Sequence, residues 1–213
     1  MVASTTTVSE NQQQHAEIVV SELFNFIIAQ GDADYIGEPV SQLEHSLQAA
    51  HFAEKSGADE DTILGALLHD IGRFIPAADT MPTMIAPNGT YVGREAHEVV
   101  GEKYLRGLGF SEKICQLVGA HVIAKRYLTA VDEKYYDSLS QSSKTTLKFQ
   151  GGPFNAEQVK EAQKDPWLEQ KLAVRRWDDL AKEIDLKTTP LEYYHHMAVD
   201  SLIREQNRKA QCV

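Results

Sequence analysis

Cysteine is scarce in this chain of 213 residues. The two that occur, Cys115 and Cys212, lie far apart and form no Cys-x-x-Cys pair. A disulfide framework and a thiolate zinc site both need more closely spaced cysteines, so neither is expected. This composition is typical of a protein of the reducing cytoplasm, which we predict as its location.

Basic residues are also in the minority. Lys and Arg together number 21 against 31 Asp and Glu, which leaves a net charge of -10. The average field of such a chain repels nucleic acids and anionic membrane surfaces, so neither is predicted as a partner. The content of 42% hydrophobic and 24% charged residues is ordinary for a globular protein.

Long hydrophobic runs and several common motifs are missing as well. The longest apolar stretch near the N-terminus, residues 23–29, contains Asn25 and is too short to span a bilayer. No basic segment precedes it, so neither an export signal nor a membrane segment is expected. The absence of G-x-G-x-x-G, P-loop, G-x-S-x-G and H-E-x-x-H motifs disfavours the commonest nucleotide-binding, acyl-transfer and zinc-protease classes.

Helical periodicity dominates the sequence, and strands are hard to find. The clearest helix start is the capping box Ser41-Gln-Leu-Glu44, and Asp59 or Asp61 is the N-cap of a later helix. The Pro- and Gly-containing loop 76–93 has room for a small hairpin. Helices are predicted from residue 15 and over residues 41–56, 59–74, 94–108, 111–125, 132–149, 155–164, 168–184 and 191–208. We therefore predict a single-domain all-α bundle over residues 15–213, after a disordered lead over residues 1–14.

The most informative chemical feature is a His-Asp pair inside an apolar segment. His69 and Asp70 lie in Leu67-Leu-His-Asp-Ile-Gly72. Burying an unpaired carboxylate is strongly unfavourable, and a metal ion shared with a neighbouring imidazole compensates the charge. Adjacent helical positions are only about 100° apart, so both side chains can reach one ion.

Four further residues extend this candidate site. His121 continues the apolar stripe of Ile114, Leu117 and Val118 within the helix predicted over residues 111–125, so it is predicted to face the core. Taken singly, each candidate is better explained as a hydrogen-bonded core histidine or a capped carboxylate than as a metal ligand. Together they favour a metal site. The additional candidates are His45, His97, His121 and Asp178.

Cations recur one helical turn away from these residues. Arg73 follows His69, and Lys125 follows His121. Arg175 and Lys182 flank Asp178. Surface salt bridges are the simple alternative, but in a chain of charge -10 a cationic pocket beside a metal predicts a small, multiply charged anion such as phosphate or phosphonate.

These residues resemble the metal-binding signature of the HD-domain superfamily. His45, the His69-Asp70 pair and Asp178 match that signature, and His97 and His121 fit the extra ligands of members that hold two metals. More narrowly, the chain looks like the mixed-valent diiron oxygenases that cleave the carbon–phosphorus bond of 1-hydroxyalkylphosphonates. The segments that carry this resemblance, spread over residues 35–182, are Tyr35-Ile-Gly-Glu38, Leu139-Ser-Gln-Ser-Ser143, Gln150-Gly-Gly152 and Arg175-Arg-Trp-Asp178.

The resemblance implies an HD-type helical bundle that holds two iron ions, Fe(II)/Fe(III) in the active state. One iron would take His45, His69 and Asp178, the second would take His97 and His121, and Asp70 would bridge them. The substrates would be a small phosphonate and O2, and the products a carboxylic acid and phosphate. Further implied roles are phosphonate binding for Arg73, Lys125, Ser143 and Arg175, and a lid formed by Tyr35 and Glu38.

One departure leaves the substrate open. Arg73 stands where the resembled family has histidine, and a longer, permanently charged side chain alters the contacts to substrate. The candidates are 2-amino-1-hydroxyethylphosphonate, its trimethylammonio analogue and hydroxymethylphosphonate. Alternative functions are an HD phosphohydrolase acting on a nucleotide or phosphate monoester, an inositol-type oxygenase with the same dinuclear plan, and a ligand-sensing module. The sequence carries no signal for an oligomeric state.

Overall fold

The computed structural model describes residues 10–35 and 38–211, and this part of the chain is predominantly helical. Its one sheet is a two-stranded antiparallel hairpin, which confirms the all-α class. The α-helices of the described residues are α1 (Glu10–Gln30), α2 (Gln42–Lys55), α3 (Glu60–Leu67), α4 (His97–Leu108), α5 (Glu112–Gly119), α6 (His121–Val131), α7 (Glu133–Ser138), α8 (Gln141–Phe149), α9 (Ala156–Ala162), α10 (Leu168–Leu180) and α11 (Leu191–Gln211). Strands β1 (Thr83–Ile85) and β2 (Tyr91–Arg94) lie between α3 and α4, after two short 3-10 turns, Ile71–Arg73 and Pro76–Thr80.

Two predicted helix starts are confirmed by their capping hydrogen bonds. The Ser41 hydroxyl accepts from the Glu44 backbone N–H at 3.2 Å, and the Glu44 carboxylate accepts from the Ser41 N–H at 2.7 Å. At α3, the Asp59 carboxylate accepts from the Thr62 N–H at 3.1 Å. Each such cap contributes roughly 1 kcal/mol by pairing a backbone donor that the helix leaves free.

The predicted boundary of the N-terminal lead is wrong for residues 10–14, because α1 already begins at Glu10. These residues are polar, but Glu and Gln are good helix formers, and Gln13 donates to Glu17 one turn later at 2.9 Å. Ala16 and Val20 are fully buried, and α1 packs along α11. Tertiary packing therefore stabilises a helix whose first turns look like a tail. Residues 1–9 lie outside the described residues.

Three predicted helices are shorter than expected because the chain turns inside them. Helix α3 ends at Leu67 rather than near residue 74, and a 3-10 turn follows. The helix predicted over residues 111–125 breaks at Ala120 into α5 and α6, and that over 132–149 breaks into α7 and α8. At two of these breaks an imidazole bonds back to a carbonyl: His69 to Ala66 at 2.7 Å and His121 to Val118 at 3.2 Å.

The hairpin predicted in loop 76–93 is present. Thr83 pairs with Arg94 and Met84 with Gly93, and a bulge follows Met84. Met84 and Val92 are buried, whereas Tyr91 is exposed. The hairpin therefore turns an apolar surface toward the interior of the bundle.

The core surrounds α3, which packs against α2, α5, α10 and α11. Leu64, Leu67 and Leu68 of this region are almost completely buried. A smaller apolar cluster joins α6, α7 and α10. No helix within residues 10–35 and 38–211 has the length and hydropathy that crossing a bilayer would require.

A close backbone approach joins the turn after α3 to the start of α4. A Cβ atom on Gly72 would lie 1.9 Å from the carbonyl oxygen of His97 and 3.0 Å from the backbone nitrogen of Gly101. No side chain fits at those distances. Glycine at position 72 therefore allows α4 to approach the His69-Asp70 turn.

We predict that Gly72→Ala destabilises the metal-free protein by roughly 3 kcal/mol, the upper end of the usual cost of overpacking, because the added methyl meets backbone atoms. Urea unfolding measures this loss. The matched control is Gly107→Ala, on the exposed side of the same α4, where a new Cβ meets nothing within 4 Å. The control should gain roughly 0.5–1 kcal/mol from helix propensity. Equal stabilities of the two variants would contradict the close approach.

Candidate metal centre

All six candidate ligands converge at one buried location. They come from the first turn of α2, the turn after α3, the first residues of α4 and α6, and the last turn of α10. None is more than 4% exposed. In chain order they are His45, His69, Asp70, His97, His121 and Asp178.

Each of the four histidines has its Nδ1 atom against a backbone carbonyl. A carbonyl oxygen can only accept a hydrogen bond, so Nδ1 carries the proton in every ring. The Nε2 atom of each neutral ring is then an unprotonated donor of an electron pair, the form that binds a metal. The pairs are His45 with Ala181 at 2.8 Å, His69 with Ala66 at 2.7 Å, His97 with Arg94 at 3.0 Å and His121 with Val118 at 3.2 Å.

The Nε2 atoms meet in two pairs. His45 and His69 approach to 3.0 Å, and so do His97 and His121. Burial lowers the pKa of His69, and burial together with the neighbouring His97 holds that of His121 well below its usual value. These two rings are therefore neutral at pH 7. Two unprotonated nitrogens at such a distance repel each other unless a cation lies between them or beside them.

Asp70 lies between the two histidine pairs. Its Oδ1 atom is 3.1 Å from Nε2 of His97 and 3.7 Å from Nε2 of His121, and its Oδ2 atom is 3.8 Å from Nε2 of His69. Neither oxygen has a hydrogen-bond partner among the described residues. Burial raises the pKa of Asp70, but the charge of Arg73 and the nearby imidazoles outweigh it and keep the pKa well below the ordinary value. A buried, charged carboxylate without donors is suited to bridging two cations.

Asp178 completes the first histidine pair. Its Oδ1 atom is 3.4 Å from Nε2 of His45 and 3.9 Å from Nε2 of His69, while Oδ2 accepts from Arg175 at 2.6 Å. One oxygen thus faces the imidazoles and the other is held by a cation. Nitrogen and carboxylate donors without a thiolate suit transition metals such as iron, manganese or zinc. The residues therefore fit two adjacent metal ions, with Asp70 between them.

The predicted cations line the cavity beside this centre, as do Ser142, Ser143 and Thr146. Lys125 is buried and donates to Thr146 Oγ1 at 2.9 Å. Burial, then the charge of Arg175, lowers the pKa of Lys125 to about 7. Arg73 faces Asp70, with its Nε atom 3.3 Å from Oδ1, rather than a carboxylate on the surface of the bundle.

Arg175 is part of a network that sequence analysis missed. Its Nη1 atom donates to Asp178, its Nη2 atom donates to Asp179, and its Nε atom donates to the Tyr135 hydroxyl at 3.0 Å. The Tyr135 hydroxyl in turn donates to Asp179 at 2.5 Å, and Ser143 Oγ lies 3.5 Å from Nη2. The spacing of Arg175 and Asp179, four residues apart on one helix, is the signal that could have revealed this pair. Arg175 therefore holds Asp178 in addition to lining the cavity.

The two predicted lid residues both lie at the cavity. The Tyr35 ring stacks on His45, with centroids 3.8 Å apart and an angle of 14° between the planes. Burial, then the charge of Asp178, raises the pKa of Tyr35 well above its usual value, so the phenol stays protonated at neutral pH. Glu38 pairs with Lys182 at 3.0 Å. Both residues therefore make specific contacts with the walls of the site.

These features define a metal-binding HD domain, and the comparison with protein families agrees. The family described as HD domain matches residues 43–209, and the chain belongs to it. The glycine-betaine-forming 1-hydroxy-2-(trimethylamino)ethyl phosphonate dioxygenase of Leisingera caerulea is 43% identical over 165 residues, 78% of this chain and 80% of its own length.

Two further relatives are similar over most of their lengths. The hydroxymethylphosphonate dioxygenase of Gimesia maris is 37% identical over 176 residues, 83% of this chain and 84% of its own. An uncharacterized protein of Acanthamoeba polyphaga mimivirus is 35% identical over 188 residues, 88% of this chain and 84% of its own. The resemblance to HD-domain phosphonate oxygenases is therefore confirmed, and the chain is an enzyme of this oxygenase family.

We predict that a divalent metal such as Co²⁺, added anaerobically to metal-free protein, raises the melting temperature. Binding at one hundred times the Kd stabilises the folded state by about 2.7 kcal/mol per site, or roughly 5–10 °C for a chain of this size. Asp70→Asn should remove most of this rise, because the bridging charge is lost. Asp200→Asn, on the exposed face of α11, is the matched control and should keep it. A melting temperature that does not respond to metal in the unaltered protein would contradict the site.

Proposed function

We propose that this enzyme uses O2 to cleave the carbon–phosphorus bond of a 1-hydroxyalkylphosphonate, giving a carboxylic acid and phosphate. The observation that carries the proposal is the pair of donor sets joined by Asp70, whose two oxygens face different histidine pairs. The names of the Leisingera and Gimesia relatives support phosphonate oxygenation over the phosphohydrolase and sensing alternatives. Both oxygen atoms of O2 end in the products, so the reaction needs no external reductant.

The proposed cofactor is a pair of iron ions. His45, His69 and Asp178 would hold one, His97 and His121 the other, and Asp70 would bridge them. When bound, the irons would activate O2 and accept the hydroxyl and phosphonate oxygens of the substrate. Two carboxylates cannot neutralise an Fe(II)/Fe(III) pair, so the centre stays cationic and favours an anionic substrate.

Lys125 is the side chain best placed to hold the phosphonate. It donates to Thr146 Oγ1 at 2.9 Å and to the Ser143 carbonyl at 3.5 Å, and both acceptors are neutral. A phosphonate oxygen is a stronger acceptor, and its negative charge would raise the pKa of Lys125 and keep the ammonium protonated. Arg73 and Ser143 also line the cavity and supply further donors.

We assign Arg175 two roles. Its ion pairs with Asp178 and Asp179 orient one of the proposed iron ligands. The edge of its guanidinium near Ser143 contributes positive charge to the phosphonate side of the cavity. Removing Arg175 would therefore weaken metal binding as well as substrate binding, which separates it from Lys125.

Tyr35 and Glu38 would act as a lid. Tyr35 covers His45 by stacking, and the Glu38–Lys182 pair ties the same segment to the chain just after α10. Substrate entry would displace the Tyr35 ring from its stack on His45 and open the cavity to the incoming phosphonate. Closure around the bound phosphonate would then exclude water from the reacting carbon.

We predict that iron-loaded enzyme releases phosphate from a 1-hydroxyalkylphosphonate in air but not under argon, with one O2 consumed per phosphate. Oxygen electrode and phosphate measurements on the same sample give this ratio. An HD phosphohydrolase needs only water, so it would release phosphate equally under both atmospheres. Equal anaerobic release from phosphate monoesters would overturn the oxygenase.

We predict that Lys125→Met lowers kcat/KM by about 10- to 150-fold, the equivalent of one charge-assisted hydrogen bond. Its iron content should match that of the unaltered enzyme, because Lys125 contacts neutral oxygens of α8 rather than a proposed ligand. Lys134→Met, at an exposed position, is the control for loss of one positive charge. Full catalytic efficiency of Lys125→Met would exclude Lys125 as the anion anchor.

A further inference from the structure

The cavity offers few acidic groups to a substrate. Among the described residues that line it, the carboxylates belong to Glu38, Asp70 and Asp178. Asp70 and Asp178 face the imidazoles and are the proposed iron ligands. Glu38 is therefore the carboxylate that remains for recognising a positive charge on the substrate.

Glu38 is already engaged by Lys182. Its Oε1 atom lies 3.0 Å from the Lys182 ammonium, and the two side chains are 12% and 17% exposed. Coulombic attraction at this distance is stronger in such a sheltered position than in open water. Lys182 follows α10 four residues after Asp178 and lines the same cavity, so its charge belongs to the site.

A cationic substituent on the substrate would have to break this ion pair. Lys182 would then lose its carboxylate partner. Its charge would remain in a cavity that is also lined by the cations Arg73, Lys125 and Arg175. Both the lost pairing and the added repulsion oppose a cationic substrate. A substrate with an uncharged substituent leaves the Glu38–Lys182 pair intact.

We infer that Lys182 is a specificity-determining residue: by neutralising Glu38 it selects 1-hydroxyalkylphosphonates whose substituent is uncharged over those that carry an ammonium group. The inference rests on the proposed function and narrows its substrate class. Hydroxymethylphosphonate and 1-hydroxyethylphosphonate belong to the favoured class. The 2-amino and 2-trimethylammonio compounds belong to the disfavoured class.

The first measurement compares the four phosphonates on the unaltered iron-loaded enzyme. Aerobic phosphate release gives kcat/KM, and anaerobic calorimetry gives Kd without turnover. The uncharged compounds should have the higher kcat/KM and the lower Kd. Better binding and turnover of either cationic compound than of both uncharged compounds would overturn the inference.

The second measurement uses Lys182→Met, with Lys182→Gln as a second variant if the first folds poorly. The loss of Lys182 should leave Glu38 free to pair with a cationic substituent. The Kd of the cationic compounds relative to the uncharged ones should then fall by about 10-fold or more, and their relative kcat/KM should rise by a similar factor. Adding Glu38→Gln to Lys182→Met should abolish that gain. Lys164→Met, which breaks an exposed ion pair with Glu161 in α9, is the matched control and should leave the ratios unchanged.

The outcomes separate the inference from the proposed function. If the ratios of cationic to uncharged Kd in both Lys182 variants stay within about twofold of those of the unaltered enzyme, the role of Lys182 is overturned. This conclusion holds whether or not the variants turn over substrate. If phosphonates bind but no phosphate is released in air, the oxygenase proposal fails while the Kd ratios still decide the selectivity. If none of the four phosphonates binds, both are overturned.

Discussion

The hydrogen bonds from the four imidazole Nδ1 atoms to backbone carbonyls are the constraint on which the rest of the site depends. Each bond fixes one tautomer and directs one Nε2 electron pair inward. Three of the acceptors, those of His69, His97 and His121, lie three residues earlier in the chain. Those bonds occur where a helix ends or begins, at Leu67, Ala120 and the start of α4. Three of the candidate metal ligands therefore lie where helices end or begin, and each is held there by a bond to the carbonyl three residues earlier.

The side chains that line the cavity include more cations than the negative net charge of the chain would suggest. A protein of net charge -10 places four cations around one cavity and leaves Glu38 as the carboxylate outside the proposed ligand set. Three of these cations have carboxylate partners. Arg175 pairs with Asp178, Lys182 pairs with Glu38, and Arg73 pairs with Asp70. Lys125 contacts neutral oxygens, which leaves its charge available to an incoming anion. The same local field would thus hold a phosphonate and disfavour a cationic substituent on it.

The network around Arg175 connects the site to parts of the fold that look peripheral. Tyr135 belongs to α7, a helix of six residues, yet its hydroxyl contacts both Arg175 and Asp179. Buried ion pairs need such additional donors and acceptors, because the free-energy cost of desolvating the two charges otherwise exceeds their Coulombic attraction. The orientation of Asp178 therefore depends on Tyr135 of α7 as well as on its own helix, α10.

The sequence alone determined the all-α class, the capped starts of α2 and α3 and the six side chains that the structure brings together, because these depend on local periodicity, on capping and on the rarity of buried polar groups. It did not determine the breaks at Leu67 and Ala120 or the roles of Tyr135 and Asp179. Helical periodicity continues through both breaks, whereas the bonds that accompany them need ring positions set by neighbouring helices. The pairing of Glu38 with Lys182 joins residues far apart in the chain, so only the packing of α2 against α10 decided it.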